Sequence, residues 1–262
     1  MPETMTFKLA ETIVRIEYKG KVSTGFFMKI NLKENQQNFL VTCDHCISQN
    51  DIDLQITISI FYGNKNQKSE KKIELDNNKR FMKSFINLGY DATIIEILSE
   101  DEIPEDKYLY PDMNYINGYE QYIKMEVYTA GYPSVDLYKG EKHFSTGIIK
   151  ALKDNKGHFS HDCPTKRGSS GSPLLNISQQ VIGIHFGCNN KETINFGIFI
   201  GVIIENLKKD ENNIILKGNL TNKIYIKRKE KEKKSNPDII DYKQTNSTED
   251  NKIILIKIKK KK

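Results

Sequence analysis

Three short segments of this 262-residue chain hold the residue types that acyl transfer requires. Phe39-Leu-Val-Thr-Cys-Asp-His45-Cys46 is an apolar run passing into a polar turn that ends in a histidine. Tyr90-Asp91-Ala-Thr-Ile-Ile sets an acid at the mouth of a second run, and Lys166-Arg-Gly168-Ser-Ser170-Gly171-Ser-Pro173-Leu174 presents serine from a glycine-rich turn. A serine hydroxyl attacks a carbonyl only when an imidazole takes its proton and a carboxylate orients that imidazole. The oxyanion that develops also needs fixed N–H donors. Glycine permits the torsions that let the amides of Gly168 and Ser170 converge on one point. This chemistry calls for no cofactor and no metal.

Taken singly, each segment has an ordinary structural reading. His45 is a strand-end histidine, Asp91 a turn or cap residue, and the serine run a flexible loop. Order and spacing join them, because His45 lies 46 residues before Asp91 and Asp91 lies 79 before Ser170.

The elements that must position them read as short strands. Thr12–Tyr18, Thr24–Ile30, Asn38–Thr42, Leu54–Phe61, Lys72–Leu75 and Thr93–Leu98 are β-branched or aromatic runs broken by Gly, Asn or Lys. Leu54, Ile56, Ile58 and Ile60 alternate with polar residues, the period of a strand with one buried face. A second series follows at Ile123–Thr129, Phe144–Lys150, Pro173–Ile177, Gln180–Phe186 and Thr193–Ile200. The acidic, then Tyr/Asn-rich stretch Ser99–Gln121 reads as a linker, and Val202–Lys209 as a short helix. The expectation is an all-β chain: barrel one over about residues 8–100, barrel two over 122–200, a helix at 202–209, and a Lys/Asn-rich tail at 211–262.

Four motifs resemble the chymotrypsin-like serine peptidases. Ser23-Thr-Gly25-Phe-Phe is similar to the family's GTGF strand, Val41-Thr-Cys-Asp-His45-Cys46 to TAAHC, Asp91-Ala-Thr-Ile to DIAL, and Gly168-Ser-Ser170-Gly-Ser-Pro-Leu to GDSGGPL. The resemblance implies a double β-barrel with the site in the cleft between barrels, a serine endopeptidase activity and a protein or peptide substrate. It implies Ser170 as nucleophile, His45 as base then acid, Asp91 as the orienting carboxylate, and Gly168 and Ser170 as the oxyanion hole. Ser169 and Ser172 are decoys, since only Ser170 stands second after Gly168 and directly before Gly171. Asp44 departs from the pattern, and no cysteine near Phe26–Met28 offers Cys46 the family's disulfide partner.

Substrate preference in that family comes from residues before the serine and on a strand after it. Here Thr165 lies 5 residues before Ser170, and Ile182-Gly-Ile-His185-Phe186-Gly187 places His185 15 residues after it. This pairing is similar to the bacterial glutamyl endopeptidases and implies Glu or Gln at the P1 position. Thr and His can both donate to a side-chain carbonyl. The alternatives are a core histidine at 185 and a non-acidic preference.

Two other readings compete. Cys43-x-x-Cys46 and His158-x-x-His161-x-Cys163 offer zinc-compatible ligands, and a peptide-binding pseudoprotease with a polyanion-binding tail needs no catalysis. The net charge of +6 dissects into a nearly neutral body and a tail with 15 Lys and Arg against 7 Asp and Glu. Any weak contact with nucleic acid or an anionic surface is therefore expected from the tail, where Lys227–Lys234 and the strand-like Ile253–Lys259 lie. Cys163 and Cys188 read equally as a pair or as free thiols. The longest uncharged apolar run, Phe196–Ile204, has 9 residues, and charges from Glu3 to Glu17 interrupt any leader-like run. Few cysteines add to an expectation of an intracellular setting.

Overall fold

The β-branched runs of the N-terminal half build one twisted, mainly antiparallel sheet. The computed structural model describes residues 1–32, 36–63, 69–134, 141–189 and 194–210. Within them, β1 (Ile13–Tyr18), β2 (Lys21–Asn31), β3 (Gln36–Thr42), β4 (Thr57–Tyr62), β5 (Ser69–Glu74), β6 (Met82–Ser84) and β7 (Thr93–Glu96) stand in the order β5-β4-β1-β2-β3-β7-β6. Lys19 and Gly20, with φ of 49° and 73°, close the β1–β2 hairpin with the paired positive torsions that match strand twist. The path runs open from β5 to β6 among the described residues, so the first expected barrel is a half-barrel.

The C-terminal series closes. β9 (Glu126–Gly131), β10 (His143–Leu152), β11 (His158–His161), β12 (Pro173–Leu175), β13 (Val181–Asn189) and β14 (Ile194–Phe199) form a six-stranded barrel in the order β10-β11-β14-β13-β12-β9. Its interior is filled by the ring of Phe159, which is fully buried. A Cβ at Gly197 would stand 2.4 Å from that ring, and one at Gly183 2.8 Å away. Gly197→Ala is therefore expected to destabilise the protein by about 1–3 kcal/mol through overpacking. A urea midpoint equal to that of the wild type would show that the ring yields without cost.

Several expectations need correction. The stretch 99–121 is not a bare linker: it carries four 3₁₀ turns and β8 (Tyr108–Leu109), which pairs parallel with β2. Its aromatic and apolar side chains Tyr108, Leu109 and Tyr115 are buried, and Asp101 is clamped by the buried Arg80 at 2.8 and 3.1 Å. The expected strand from Leu54 begins only at Thr57. Ser48 and Asp51 cap a short helix α2 (Gln49–Asp53), after which Leu54 is exposed and Gln55 takes a φ of 50°. An unanticipated helix α1 (Glu3–Thr12) buries Met5, Leu9 and Thr12 on one face while Phe7 remains exposed. The C-terminal helix α3 (Ile200–Lys209) starts two residues earlier than 202 and buries Ile200, Ile203, Ile204 and Leu207.

The chain divides into a unit of Met1–Gly218 and one of Asn219–Lys262. The basic tail, with its charged run and strand-like end, lies outside the described residues. No helix among the described residues is long and apolar enough to cross a membrane.

Candidate active site

Pairing of β3 with β7, Thr42 opposite Thr93, sets the turn after β3 beside the start of β7. His45 follows the first and Asp91 precedes the second, so the two meet. One carboxylate oxygen of Asp91 accepts the backbone N–H of His45 at 3.0 Å, and the other lies 2.6 Å from Nδ1. This double contact fixes the ring's position and places a proton on Nδ1, so that in the neutral ring the lone pair is on Nε2. Thr93 Oγ1 donates to Ile47 O at 2.8 Å and holds the same turn. The aberrant Asp44 is buried and accepts from Ser84 Oγ on β6.

Ser170 sits half-buried on the turn before β12. Its neighbours Ser169 and Ser172 are 3% and 1% exposed, and their hydroxyls are occupied: Ser172 Oγ donates to Ser169 O at 2.6 Å, and Ser169 Oγ accepts from Lys166 N. Ser170 Oγ makes no hydrogen bond among the described residues. Two positive torsions shape the turn, 97° at Gly168 and 88° at Gly171. A Cβ on Gly171 would stand 2.0 Å from Thr24 O, so no other residue fits.

The amides of the turn divide into two groups. Ser169 N donates to Lys166 O, Gly171 N to His185 O and Ser172 N to Ser169 O, at 2.9, 2.8 and 3.0 Å. The N–H groups of Gly168 and Ser170 have no acceptor among the described residues. Ser134 N donates to Arg167 O at 2.8 Å, which fixes the Arg167–Gly168 peptide plane. In a trans peptide the N–H points opposite to the C=O, so the Gly168 N–H is turned away from Ser134. β2 bolts this turn across from the first sheet: Thr24 Oγ1 accepts from Tyr132 N and donates to Gly168 O, and Thr24 N donates to Ser170 O. Ser134 and Thr24 were not among the residues expected to matter. Thr24 lies in a noted motif, whereas Ser134 carries no sequence signal.

His45, Cys46, Gly168 and Ser170 line one cleft of about 530 Å³ together with Lys21 and Arg167. Thr165, His185, Phe186 and Gly187 do not line it. His185 exchanges backbone hydrogen bonds with Gly171 and Ser172, which sets β13 beside the serine turn. His185 is buried, with Nδ1 3.2 Å from His161 Nε2, and Thr165 Oγ1 donates to Asn195 Oδ1 at 2.6 Å. His161 and Asn195 were not anticipated in these roles, and only the fold brings β11 and β14 against β13.

Electrostatics separates the histidines. The Asp91 carboxylate, and after it the Cys46 thiol, raises His45 to about 10. Cys46 is lowered to about 5, first by the Cys43 thiol and further by His45. Burial lowers His161 and brings His185 down to about 4, with a backbone contact at Phe196 and the His45 charge as smaller influences. Both are therefore neutral at pH 7. His161 Nδ1 is buried without a partner, which costs less as a bare acceptor than as an N–H. That tautomer puts the proton on His161 Nε2, facing His185 Nδ1, and leaves His185 Nε2–H as a donor.

The zinc-compatible groups fare differently. His158 pairs with Asp154 at 2.7 Å, His161 with His185, and the Cys163 thiol points at Val127 O, so the second cluster is not formed. Cys43, His45 and Cys46 do converge, and they are the one such group among the described residues. None of the four cysteines forms a disulfide.

A half-barrel facing a closed barrel, with a carboxylate-held histidine beside a glycine-flanked serine, defines the chymotrypsin-like double β-barrel. The family model of the trypsin-like peptidase domain matches residues 23–184, and the chain belongs to that family. A protein of Mushroom bacilliform virus (isolate Australia/AUS LF-1), provisionally named a serine protease, is 35% identical over 85 residues. That match covers 32% of this chain and 12% of the viral protein. Among solved structures, the Rv3671c protease of M. tuberculosis in its inactive form is similar with a TM-score of 0.55 at 15% identity, covering 78% of this chain and 91% of that one. The serine endoprotease from Yersinia pestis gives 0.55 at 16%, covering 80% and 69%, and Deg5 gives 0.53 at 17%, covering 77% and 90%. At such identities these structures speak for the fold alone.

Proposed function

We propose that this protein is a serine endopeptidase. The observation that carries the reading is that one cleft holds Ser170 and a histidine clamped twice by Asp91. Ser170 Oγ attacks the scissile carbonyl as His45 Nε2 takes its proton, and Asp91 stabilises the imidazolium. The oxyanion is received by the N–H groups of Gly168 and Ser170. His45 then protonates the leaving amine, and water releases the acyl group by the reverse sequence. The Ser170–His45 hydrogen bond forms as substrate fills the cleft, a common tightening on complex formation. A phosphonofluoridate should label Ser170 alone, mapped by peptide mass. Absence of labelling in folded protein would favour the peptide-binding pseudoprotease.

We further infer a preference for Glu or Gln at P1. His185 Nε2–H, backed by His161, and the Thr165 hydroxyl are the donors, with Thr165 turning from Asn195 to the substrate. Phe186 and Gly187 follow on the same strand and form the wall. A His185→Ala variant should lose at least about fivefold in kcat/KM for Glu or Gln substrates, the lower end for leaving a polar partner unpaired, and less for Phe or Leu. A peptide library cleaved by the wild type without bias toward Glu or Gln would remove the assignment.

A further inference from the structure

We propose that Cys43, His45 and Cys46 form a binding site for a thiophilic divalent cation, Zn²⁺ in the first instance, whose occupancy switches the peptidase off. The backbone makes the site. The N–H groups of Cys46 and Ile47 both donate to Cys43 O at 3.2 Å, folding the chain so that residues three apart return to the same place. Both thiol sulfurs and a ring nitrogen of His45 lie within 4.8 Å of one another. Zinc bonds of about 2.3 Å to sulfur and 2.0–2.1 Å to nitrogen put tetrahedral donors roughly 3.5–3.8 Å apart, so the cluster needs to close by no more than about 1 Å on binding. Two thiols and an imidazole select a soft or borderline ion over Mg²⁺ or Ca²⁺.

Three ligands leave the fourth position open. His45 and Cys46 line the cleft while Cys43 lies buried behind them, so the ion enters from the cleft and its open position takes water. Both sulfurs bind as thiolates, and the proton that Cys43 carries passes to solvent. Cys43 gives up its 3.3 Å contact with His185 O in exchange. Either ring nitrogen disables the base. An ion on Nε2 occupies the lone pair that would accept the Ser170 proton, and an ion on Nδ1 displaces the Asp91 contact. Binding stands on the three donors alone, whereas the inhibition rests on the triad proposed above.

The test uses the full chain in two forms. In Ser170→Ala, stripped with EDTA, Cd²⁺ titration should give a thiolate-to-metal absorption that saturates at one equivalent, with Zn²⁺ competing. Cys43→Ser and Cys46→Ser in that background should each weaken the site at least about tenfold. In the Ser170 enzyme, Zn²⁺ should inhibit hydrolysis reversibly by EDTA while Mg²⁺ does not, and Cys46→Ser should shift the inhibition constant upward by a similar factor. Because Cys43 is buried and its variant risks misfolding, the half-buried Cys46 decides. An unchanged absorption or an unchanged inhibition constant in Cys46→Ser overturns the proposal. A saturating site in a metal-free chain that hydrolyses no peptide would uphold the binding and remove the peptidase reading instead.

Discussion

Ser170→Ala is expected to lower peptide hydrolysis by roughly 10³–10⁶-fold and to leave stability within about 0.5 kcal/mol of the wild type. The separation of the two effects follows from the environment of the hydroxyl. Ser170 Oγ has no hydrogen-bond partner among the described residues, so its removal orphans nothing. Its backbone keeps its place through Thr24 N, which donates to Ser170 O at 3.0 Å. The neighbouring serines behave in the opposite way. Ser172→Ala removes the 2.6 Å hydrogen bond to Ser169 O from a buried site and should cost about 1 kcal/mol of stability while retaining turnover. Purified variants compared by turnover and by urea denaturation check both statements. Wild-type turnover in Ser170→Ala would move the nucleophile elsewhere and dismiss the triad.

The contrast among Ser169, Ser170 and Ser172 marks what is legible in the sequence alone. Position within the turn singled out Ser170, because the glycine torsions that aim a hydroxyl outward are a local property. His45 and Asp91 were expected to meet for a similar reason: one follows a strand and the other precedes one, and both strands had the right composition. Groups made by non-local pairing were not legible. His161 was read beside His158 and Cys163 as a metal ligand, yet alternation along β11 and its pairing with β14 send His161 to His185 and His158 to Asp154. Ser134 matters only because the turn at Arg167 passes it. Leu54 satisfied a strand period perfectly, but Ser48 and Asp51 supplied a stronger local signal for a helix just upstream. Helix α1 was missed because its apolar positions, Met5 and Leu9, are too few to establish a period. The open edge of the first sheet was invisible too, since closure depends on whether β5 meets β6 and not on either strand's composition.

Asp91→Asn should reduce kcat about 10³–10⁴-fold while shifting the acid limb of the pH profile to lower pH. Both effects come from one change of donor for acceptor. Asp91 accepts from His45 twice, from the backbone N–H and from Nδ1. Asparagine can keep its oxygen on the backbone N–H, but its NH₂ then faces Nδ1 and demands a lone pair there. The ring answers by carrying its proton on Nε2, the one atom that must be bare to accept a proton from Ser170. The rate falls although the ring hardly moves. The pH effect has the opposite origin. In the wild type the imidazolium is held up chiefly by the Asp91 carboxylate, so neutral His45 accumulates only as pH rises, and kcat/KM climbs into the alkaline range. Removing that charge lowers the folded-state pKa of His45, so the neutral ring persists to lower pH and the limb moves down toward the ordinary histidine value near 6.5. The Cys46 thiol still raises His45, so the limb stops short of that value. Profiles recorded with EDTA present keep adventitious metal off Cys43, His45 and Cys46. A limb that stays in place while the rate collapses would mean that another group governs His45, and a rate that holds would mean that Asp91 does not set its tautomer.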